Sequence, residues 1–225
     1  MNSFTTSFTK LDPRSHGLFI SFEGIDGCGK STQIKRLEKN LINLGYNPIV
    51  FREPGGTKFG EKLRDSILTS DKKLSPLAEA HLFCSSRAQL LYEEILPLLS
   101  RSRKNIVILD RYLYSSMAYQ GEGRGLGQEC IANLHSNHPL NITPHLTFYL
   151  KISAETSLKR QDVRNSKKDY FEQEQNDFYI KLINGYEKAF NLFGHGVKEI
   201  SGEKDLNTIE KEILGYTKEV LKSHE

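Results

Sequence analysis

The stretch Gly24-Ile25-Asp26-Gly27-Cys28-Gly29-Lys30-Ser31, with Thr32 behind it, sets most of what this chain can fold into. An apolar run, Leu18-Phe19-Ile20-Ser21-Phe22, comes just before it, and Ile34, Leu37, Leu41 and Leu44 follow at helical spacing. A strand, a glycine-rich turn and a helix in that order bring backbone N–H groups together at a helix start, where they converge on phosphate oxygens. The fixed positions match a phosphate loop, which gives Lys30 to the outer phosphates of a nucleotide and Ser31 to magnesium. A merely structural glycine turn would require neither the lysine nor the flanking elements.

Behind that loop, strand and helix signals alternate to the end of the chain. The first helix closes near Gly45, and Asn47-Pro48-Ile49-Val50-Phe51 reads as a short strand. Arg52-Glu53-Pro54-Gly55-Gly56-Thr57 continues neither strand nor helix, because the proline restricts Glu53 and the glycines let the chain turn. A plain connecting turn is one reading. The other places Arg52 and Glu53 at the C-terminal end of a strand, where open parallel sheets bind their ligands.

Helices are expected over about residues 60–70, carrying Arg64, and 78–99, which sets Phe83 and Arg87 one turn apart on a single face. Such a pair is either a core aromatic beside a surface arginine, or a ring that stacks on a base beside a guanidinium that reaches its carbonyl. Asn105-Ile106-Val107-Ile108-Leu109-Asp110 has the unbroken apolar run of a buried parallel strand. Its terminal carboxylate suits the organisation of magnesium beside a phosphate loop, and Arg111 adds a positive charge there. A helical piece over about 113–120 runs into Gly121-Glu122-Gly123-Arg124-Gly125, too rich in glycine for regular structure. The remaining signals are a helix near 128–136, a strand over His145–Leu150, a helix over about 154–161, a long helix bearing Phe178, Leu182, Ile183, Tyr186 and Phe190, a strand over Val197–Ile200 and a last helix over about 207–222. This alternation predicts one parallel α/β sheet with helices on both faces.

Between Gln161 and Asp169 apolar residues nearly vanish, while Lys159, Arg160, Arg164, Lys167 and Lys168 accumulate. A solvated loop has this composition; so does a mobile basic lid, over about 160–171, that closes on phosphates and expels water. Beside a phosphate loop the lid is the stronger reading. The 225 residues suit a single domain over 18–225 behind a polar, flexible leader at 1–17 that has neither the apolar stretch of a secretory signal nor the arginines of a transit peptide. A net charge of +3 is too small to imply nucleic acid as a partner. No apolar run approaches the roughly 20 residues of a membrane span. Cys28, Cys84 and Cys130 are isolated, which fits a reducing, cytoplasmic setting. His135, His138 and His145 lack metal-ligand spacing and read as ordinary surface or loop residues.

A phosphate loop alone does not separate a kinase from a GTPase or an ATP-driven machine. The chain has no Asn-Lys-x-Asp stretch to read guanine, and it has little room for the extra domains of a remodelling ATPase. Arg52, Arg64, Arg87 and Arg111 are more positive sites than one nucleoside triphosphate requires, so a second anion seat facing the first is expected. That is the arrangement of a small kinase with a phosphorylated acceptor.

From Leu18 to about Lys222 the chain resembles the bacterial-type thymidylate kinases, through Gly24 to Thr32, Phe51-Arg52-Glu53-Pro54-Gly55-Gly56-Thr57, Glu61-Lys62-Leu63-Arg64, Phe83-Cys84-Ser85-Ser86-Arg87, Asp110-Arg111-Tyr112 and Ser115-Ser116-Met117-Ala118-Tyr119-Gln120-Gly121. The resemblance implies a phosphate-loop fold whose five parallel strands, numbered along the chain, lie in the order 2-3-1-4-5. It implies transfer of the ATP γ-phosphoryl group to dTMP, giving dTDP for dTTP synthesis, with Mg2+ as cofactor, in a cytoplasmic homodimer that engages neither nucleic acid nor membrane. ATP would bind along Gly24, Ile25, Asp26, Gly27, Cys28, Gly29, Lys30, Ser31 and Thr32. Asp26 matches the carboxylate that contacts the sugar 3′-hydroxyl, Arg64 and Arg111 match the clamp on the acceptor phosphate, and Arg52, Glu53 and Pro54 line the same pocket, with a cis peptide before the proline. Phe83 matches the ring that stacks on thymine and Arg87 the side chain that meets the base carbonyl, while Ser115, Tyr119 and Gln120 hold the base and exclude a 2′-hydroxyl. Ser31, Glu53 and Asp110 match the residues near the metal and its waters.

Gly27-Cys28 leaves no arginine in the loop, so the chain is similar to the class that carries its catalytic arginine in the lid, with Arg160 and Arg164 as candidates beside the catalytic Lys30, Asp26 and Arg111. Where that class often has Asp-Arg, this chain has Asp169-Tyr170. The readings left beside this one are an ATP-binding regulatory module without transferase activity and a kinase for another pyrimidine monophosphate.

Overall fold

Five parallel strands form the centre of the molecule: β1 (Leu18–Glu23), β2 (Asn47–Arg52), β3 (Asn105–Asp110), β4 (Leu146–Lys151) and β5 (Val197–Ser201), in the spatial order β2-β3-β1-β4-β5. This order is 2-3-1-4-5, the one the resemblance implies. The computed structural model describes residues 8–11, 16–70, 72–163, 176–194 and 196–222. β1 is buried from end to end, and β3 is buried except at Asp110, because both lie inside the sheet with helices over them. The register sets Phe22 of β1 opposite Asp110 of β3 and Phe148 of β4, so the ends of the three inner strands are level where the phosphate loop leaves β1.

Nine helical segments surround the sheet among the described residues: α1 (Lys30–Asn43), α2 (Lys58–Leu68), α3 (Pro76–Leu90), α4 (Leu96–Arg101), α5 (Leu113–Ser116), α6 (Gln128–Leu134), α7 (Ala154–Val163), α8 (Asn176–Phe193) and α9 (Leu206–Lys222). α1 and α9 pack together, and Arg36 and Asn40 of α1 both donate to Glu210 of α9, at 2.6 and 2.7 Å. α8 lays Tyr186 and Phe190 onto Tyr149 of β4, with ring centroids 5.1 and 4.9 Å apart. Thr57 and Ser75 cap α2 and α3 by accepting from the N–H groups of Gly60 and Ala78.

Several local expectations change. The helix expected over 78–99 begins at Pro76 and runs to Arg101 through a π-helical turn at Leu91–Ile95. Pro97 follows that turn; it has no N–H, and its ring opposes the carbonyl four residues back, so a widened turn accommodates it. The segment judged too rich in glycine is also helical as far as Gly123, since α5 continues as a π-helical stretch at Met117–Gly123. Gly123 serves packing. A Cβ on Gly123 would lie 2.8 Å from Phe178, and one on Gly185 of α8 would lie 2.9 Å from the Cα of Ala118.

The leader is not wholly free. Thr9–Lys10 pairs in parallel with Ile142–Thr143, and the Phe8 ring stands edge-on to Phe193 at 5.3 Å. His145 ties this segment to the sheet: its Nδ1 accepts from the N–H of Phe19 at 2.9 Å, and its Nε2 lies 3.0 Å from the Leu11 carbonyl. His145 is therefore a structural bridge rather than an ordinary loop residue. His135 is fully buried, which overturns its reading as a surface group.

Candidate active site

The phosphate loop owes its shape to conformations closed to most side chains. Gly24 has φ 136, and a Cβ there would come 2.6 Å from the Leu150 carbonyl oxygen. Gly29, the residue before α1, has φ 98; no side chain caps that helix and its first turn holds no acidic residue. The N-terminal amides of α1 are thus left for an anion, with the positive end of the helix dipole behind them. Lys30 is buried and folds over the loop, donating to the Gly24 carbonyl at 3.0 Å. Ser31 Oγ donates to Asp110 Oδ2 at 3.2 Å, which joins the start of α1 to the end of β3.

Across the cavity, Arg111 has φ 75, a left-handed conformation otherwise found here only at glycines among the described residues. It aims the guanidinium back at the loop, where it donates to Asp26 Oδ1 at 2.6 Å and to the Gly24 carbonyl at 3.1 Å, and lies 4.9 Å over the Tyr119 ring. Tyr119 donates to Asp26 Oδ2 at 3.2 Å. Burial pushes the Asp26 carboxyl up, but the charges of Arg111 and Lys30 and the two hydrogen bonds outweigh it and hold the group below the usual carboxylate range. Arg64 of α2 donates to the Pro54 carbonyl at 3.1 Å, and the Glu53–Pro54 peptide is cis. Arg52 is exposed and pairs with Glu61 at 3.0 Å; Glu61 also accepts from the Gly56 N–H at 2.9 Å, so this pair fixes the turn between β2 and α2.

A cavity of about 560 Å3 gathers most of the residues singled out in the sequence. The loop and α1 give it Asp26, Gly27, Gly29, Lys30, Ser31 and Thr32, and the turn after β2 gives Arg52, Glu53 and Pro54. Arg64, Phe83, Asp110 and Arg111 complete its walls with Ser115, Tyr119, Gln120 and Arg160. Gly24, Ile25 and Cys28 belong to the loop's inner side and do not line the cavity, Ile25 and Cys28 being buried. Arg160 of α7 donates to the carbonyls of Gly27 and Gly202, each at 3.1 Å, so the helix that leads into the expected lid is attached to the phosphate loop. Arg164, Lys167, Lys168, Asp169 and Tyr170, with the rest of the lid, lie outside the described residues.

Arg87 is placed differently from the expectation. It is 1% exposed and lies behind the cavity wall, not in it. Its Nε donates to Glu53 at 2.7 Å, and its Nη1 donates to Ser116 at 3.1 Å and to His135 Nε2 at 2.6 Å. The helical spacing places Phe83 and Arg87 on neighbouring positions, but the buried carboxylate of Glu53 captures the guanidinium. Burial raises the Glu53 carboxyl against the lowering effect of Arg87.

The sequence reading missed a layer of buried polar groups under the site. Glu23, at the end of β1, accepts from the Tyr112 N–H at 3.0 Å and from Ser115 Oγ at 2.6 Å, and Ser115 Oγ lies 2.8 Å from the Tyr186 hydroxyl. Glu79 accepts from Gln120 at 2.8 Å and pairs with Arg124 at 3.2 Å. Glu23 had a legible signal, a carboxylate ending an apolar strand as Asp110 does; Glu79 and His135 had none.

Among the described residues no group of three or more His, Cys, Asp or Glu side chains forms a metal cage. The donor set beside Ser31 is nevertheless that of a magnesium held mostly by phosphates and water. Asp110 Oδ1 and Glu53 Oε1 are buried without a hydrogen-bond partner among the described residues, two oxygens placed to accept from a hydrated cation.

Comparison with known proteins agrees with this geometry. The family model described as thymidylate kinase matches residues 22–213. The chain is 45% identical over 205 residues to the thymidylate kinase of Thermoanaerobacter sp. (strain X514), covering 91% of this chain and 99% of that protein. It is 38% identical over 197 residues to the thymidylate kinase of Kosmotoga olearia, covering 88% and 93%. The crystal structure of thymidylate kinase from Ehrlichia chaffeensis superposes with a TM-score of 0.71 at 28% identity, over 90% of this chain and 98% of that one.

Proposed function

The chain belongs to the thymidylate kinase family and carries out the ATP-dependent phosphorylation of dTMP to dTDP, and from that premise we propose that the cavity between the phosphate loop and Phe83 seats both substrates, each by the residues that line it. The observation that carries this assignment is the convergence of Lys30, Arg64 and Arg111, from three separate segments, on one cavity. Two phosphates that repel each other need that many fixed positive charges to lie end to end.

ATP lies along Gly24 to Thr32, with the amides at the start of α1 and the Lys30 ammonium on its phosphates. The dTMP phosphate sits between Arg64 and Arg111, and Asp26, already held by Arg111 and Tyr119, receives the sugar 3′-hydroxyl. Phe83 stacks on the base, while Ser115, Tyr119 and Gln120 close the space around base and sugar. Ser31, Asp110 and Glu53 would hold Mg2+ directly or through water, and there it would supply countercharge to the phosphates. A dTMP phosphate oxygen attacks the γ-phosphorus in line with the leaving ADP oxygen; the acceptor is already anionic, so alignment replaces a general base. Lys30, Arg160 and Arg164 take up charge on the transferring group as the lid closes. Arg87 and Glu23 act from behind the wall, the first on Glu53 and the second on Ser115. The enzyme works in the cytoplasm as a homodimer; the three free cysteines support the reducing compartment. No helix among the described residues is long and apolar enough to cross a membrane.

An ADP-release assay across dTMP, dUMP, dCMP, dGMP and AMP tests the assignment. The expected result is a preference for dTMP that Lys30→Ala abolishes. An enzyme that turns over none of these acceptors would return the site to a nucleotide-binding module. Light scattering on the eluted enzyme would show the dimer, and a monomer at working concentration would remove it.

A further inference from the structure

The buried pair Glu79–Arg124 lies outside the catalytic geometry, and Gln120 links it to the cavity. A glutamine amide has two orientations of nearly equal energy, one offering N–H donors and the other a carbonyl acceptor. Here the choice is made by Glu79. Both side chains are 0% exposed, and Gln120 Nε2 donates to Glu79 Oε1 at 2.8 Å. A flipped amide would set oxygen against carboxylate oxygen at that distance. Arg124 holds the carboxylate in turn, its Nε donating to both oxygens at 3.4 and 3.2 Å and its guanidinium lying 5.0 Å over the Phe178 ring. The orientation leaves Gln120 Oε1 buried, without a hydrogen-bond partner among the described residues, on a side chain that lines the cavity. Glu79 also lies one helical turn before Phe83 on α3, so one helix presents both the stacking ring and the group that orients the amide.

We propose that Glu79, backed by Arg124, is a specificity-positioning residue that fixes Gln120 as a hydrogen-bond acceptor and so selects bases with an N3–H, thymine and uracil, over cytosine. The inference rests on the reading of the cavity as the dTMP seat. The free edge of a thymine ring has a single donor, N3–H, between two carbonyl oxygens, so an acceptor facing that ring pairs with N3–H and nothing else. A cytosine in the same seat presents the N3 lone pair to the Oε1 lone pair. Both buried acceptors then go unsatisfied, which costs about 10- to 100-fold in kcat/KM.

The test measures kcat/KM for dTMP, dUMP and dCMP in the wild-type enzyme, in Glu79→Gln and in the double variant Glu79→Met/Arg124→Met. The double variant removes the ion pair without leaving an unpaired buried charge and serves if the single variant does not fold. The dTMP-over-dCMP ratio is expected to fall about tenfold or more in the variants, while the dTMP-over-dUMP ratio, which reports only the methyl group, stays as in the wild type. Wild-type turnover of 3-deaza-dTMP, which has a C–H in place of N3–H, is expected to drop about tenfold or more and needs no variant. An unchanged dTMP-over-dCMP ratio, an equal loss on all three substrates, or full turnover of the deaza analogue would overturn the proposal while leaving the kinase assignment standing. A wild-type enzyme inactive on dTMP would overturn both.

Discussion

His135 and Arg87 form a demanding contact, a guanidinium and an imidazole both out of solvent, with Nη1 and Nε2 2.6 Å apart. They coexist because the imidazole is neutral. Its Nδ1 donates to the Ile131 carbonyl at 2.8 Å, which leaves Nε2 as acceptor for the guanidinium. Burial, with the Arg87 charge added, lowers the His135 pKa from 6.5 to about 3. The unfolded chain takes up this proton below about 6.5 and the folded chain does not, so the contribution of His135 to stability is complete above that pH and is lost as pH falls toward 3. In that window the slope for this one group is about 1.4 kcal/mol per pH unit. His135→Gln, which keeps an acceptor near Arg87 but does not titrate, is expected to lose stability with acid less steeply than the wild type by about that amount. Urea unfolding of both proteins at intervals from pH 7 to pH 4 measures it, and parallel curves would remove the neutral imidazole from the account.

At the scale of elements, the approach of α8 to the π-helical stretch Met117–Gly123 governs how Tyr119, Gln120 and Tyr186 reach the site. A Cβ at Gly185 would stand 2.8 Å from the Cβ of Glu122 and 2.9 Å from the Cα of Ala118, neither of which rotates away. Gly185→Ala is therefore expected to cost about 1–3 kcal/mol and to raise KM for dTMP, because the two helices must separate where Tyr119 is held. Gly215, exposed in α9, would meet nothing within 4 Å, and Gly215→Ala is expected to gain about 0.5–1 kcal/mol. Chemical denaturation of both variants checks the two signs together. The contrast explains what the sequence made legible. β1 and β3 were readable because a strand buried on both faces is an unbroken apolar run, and the phosphate loop because its chemistry fixes residue types at fixed spacing. Gly123 was misread because a glycine that admits a neighbouring helix has the same letter as one that turns the chain. The buried polar layer was unreadable for a different reason: Glu79 meets Gln120 across 41 residues, Arg87 meets His135 across 48 and Glu23 meets Ser115 across 92, and no local pattern reports such pairings.

Across the whole molecule, the site is assembled at the C-terminal ends of the strands. Gly24 follows β1, Glu53 follows β2, Arg111 follows β3, and Gly202, which receives Arg160, follows β5. Each of these four strands therefore delivers its segment of the site only when it pairs in the right register. β1 comes early in the chain, yet its neighbours on the two sides are Asn105–Asp110 and Leu146–Lys151. A fragment ending at residue 144 would leave one edge of β1 unpaired, and is expected to be recovered as aggregate by centrifugation while the full chain stays in solution. During synthesis the same arrangement imposes a delay. The segment that grips the nucleotide is made before β4, whose Leu150 carbonyl lies against Gly24, so its frame is incomplete until β4 has emerged. A nascent chain is thus expected to gain its hold on ATP only once β4 has joined the sheet.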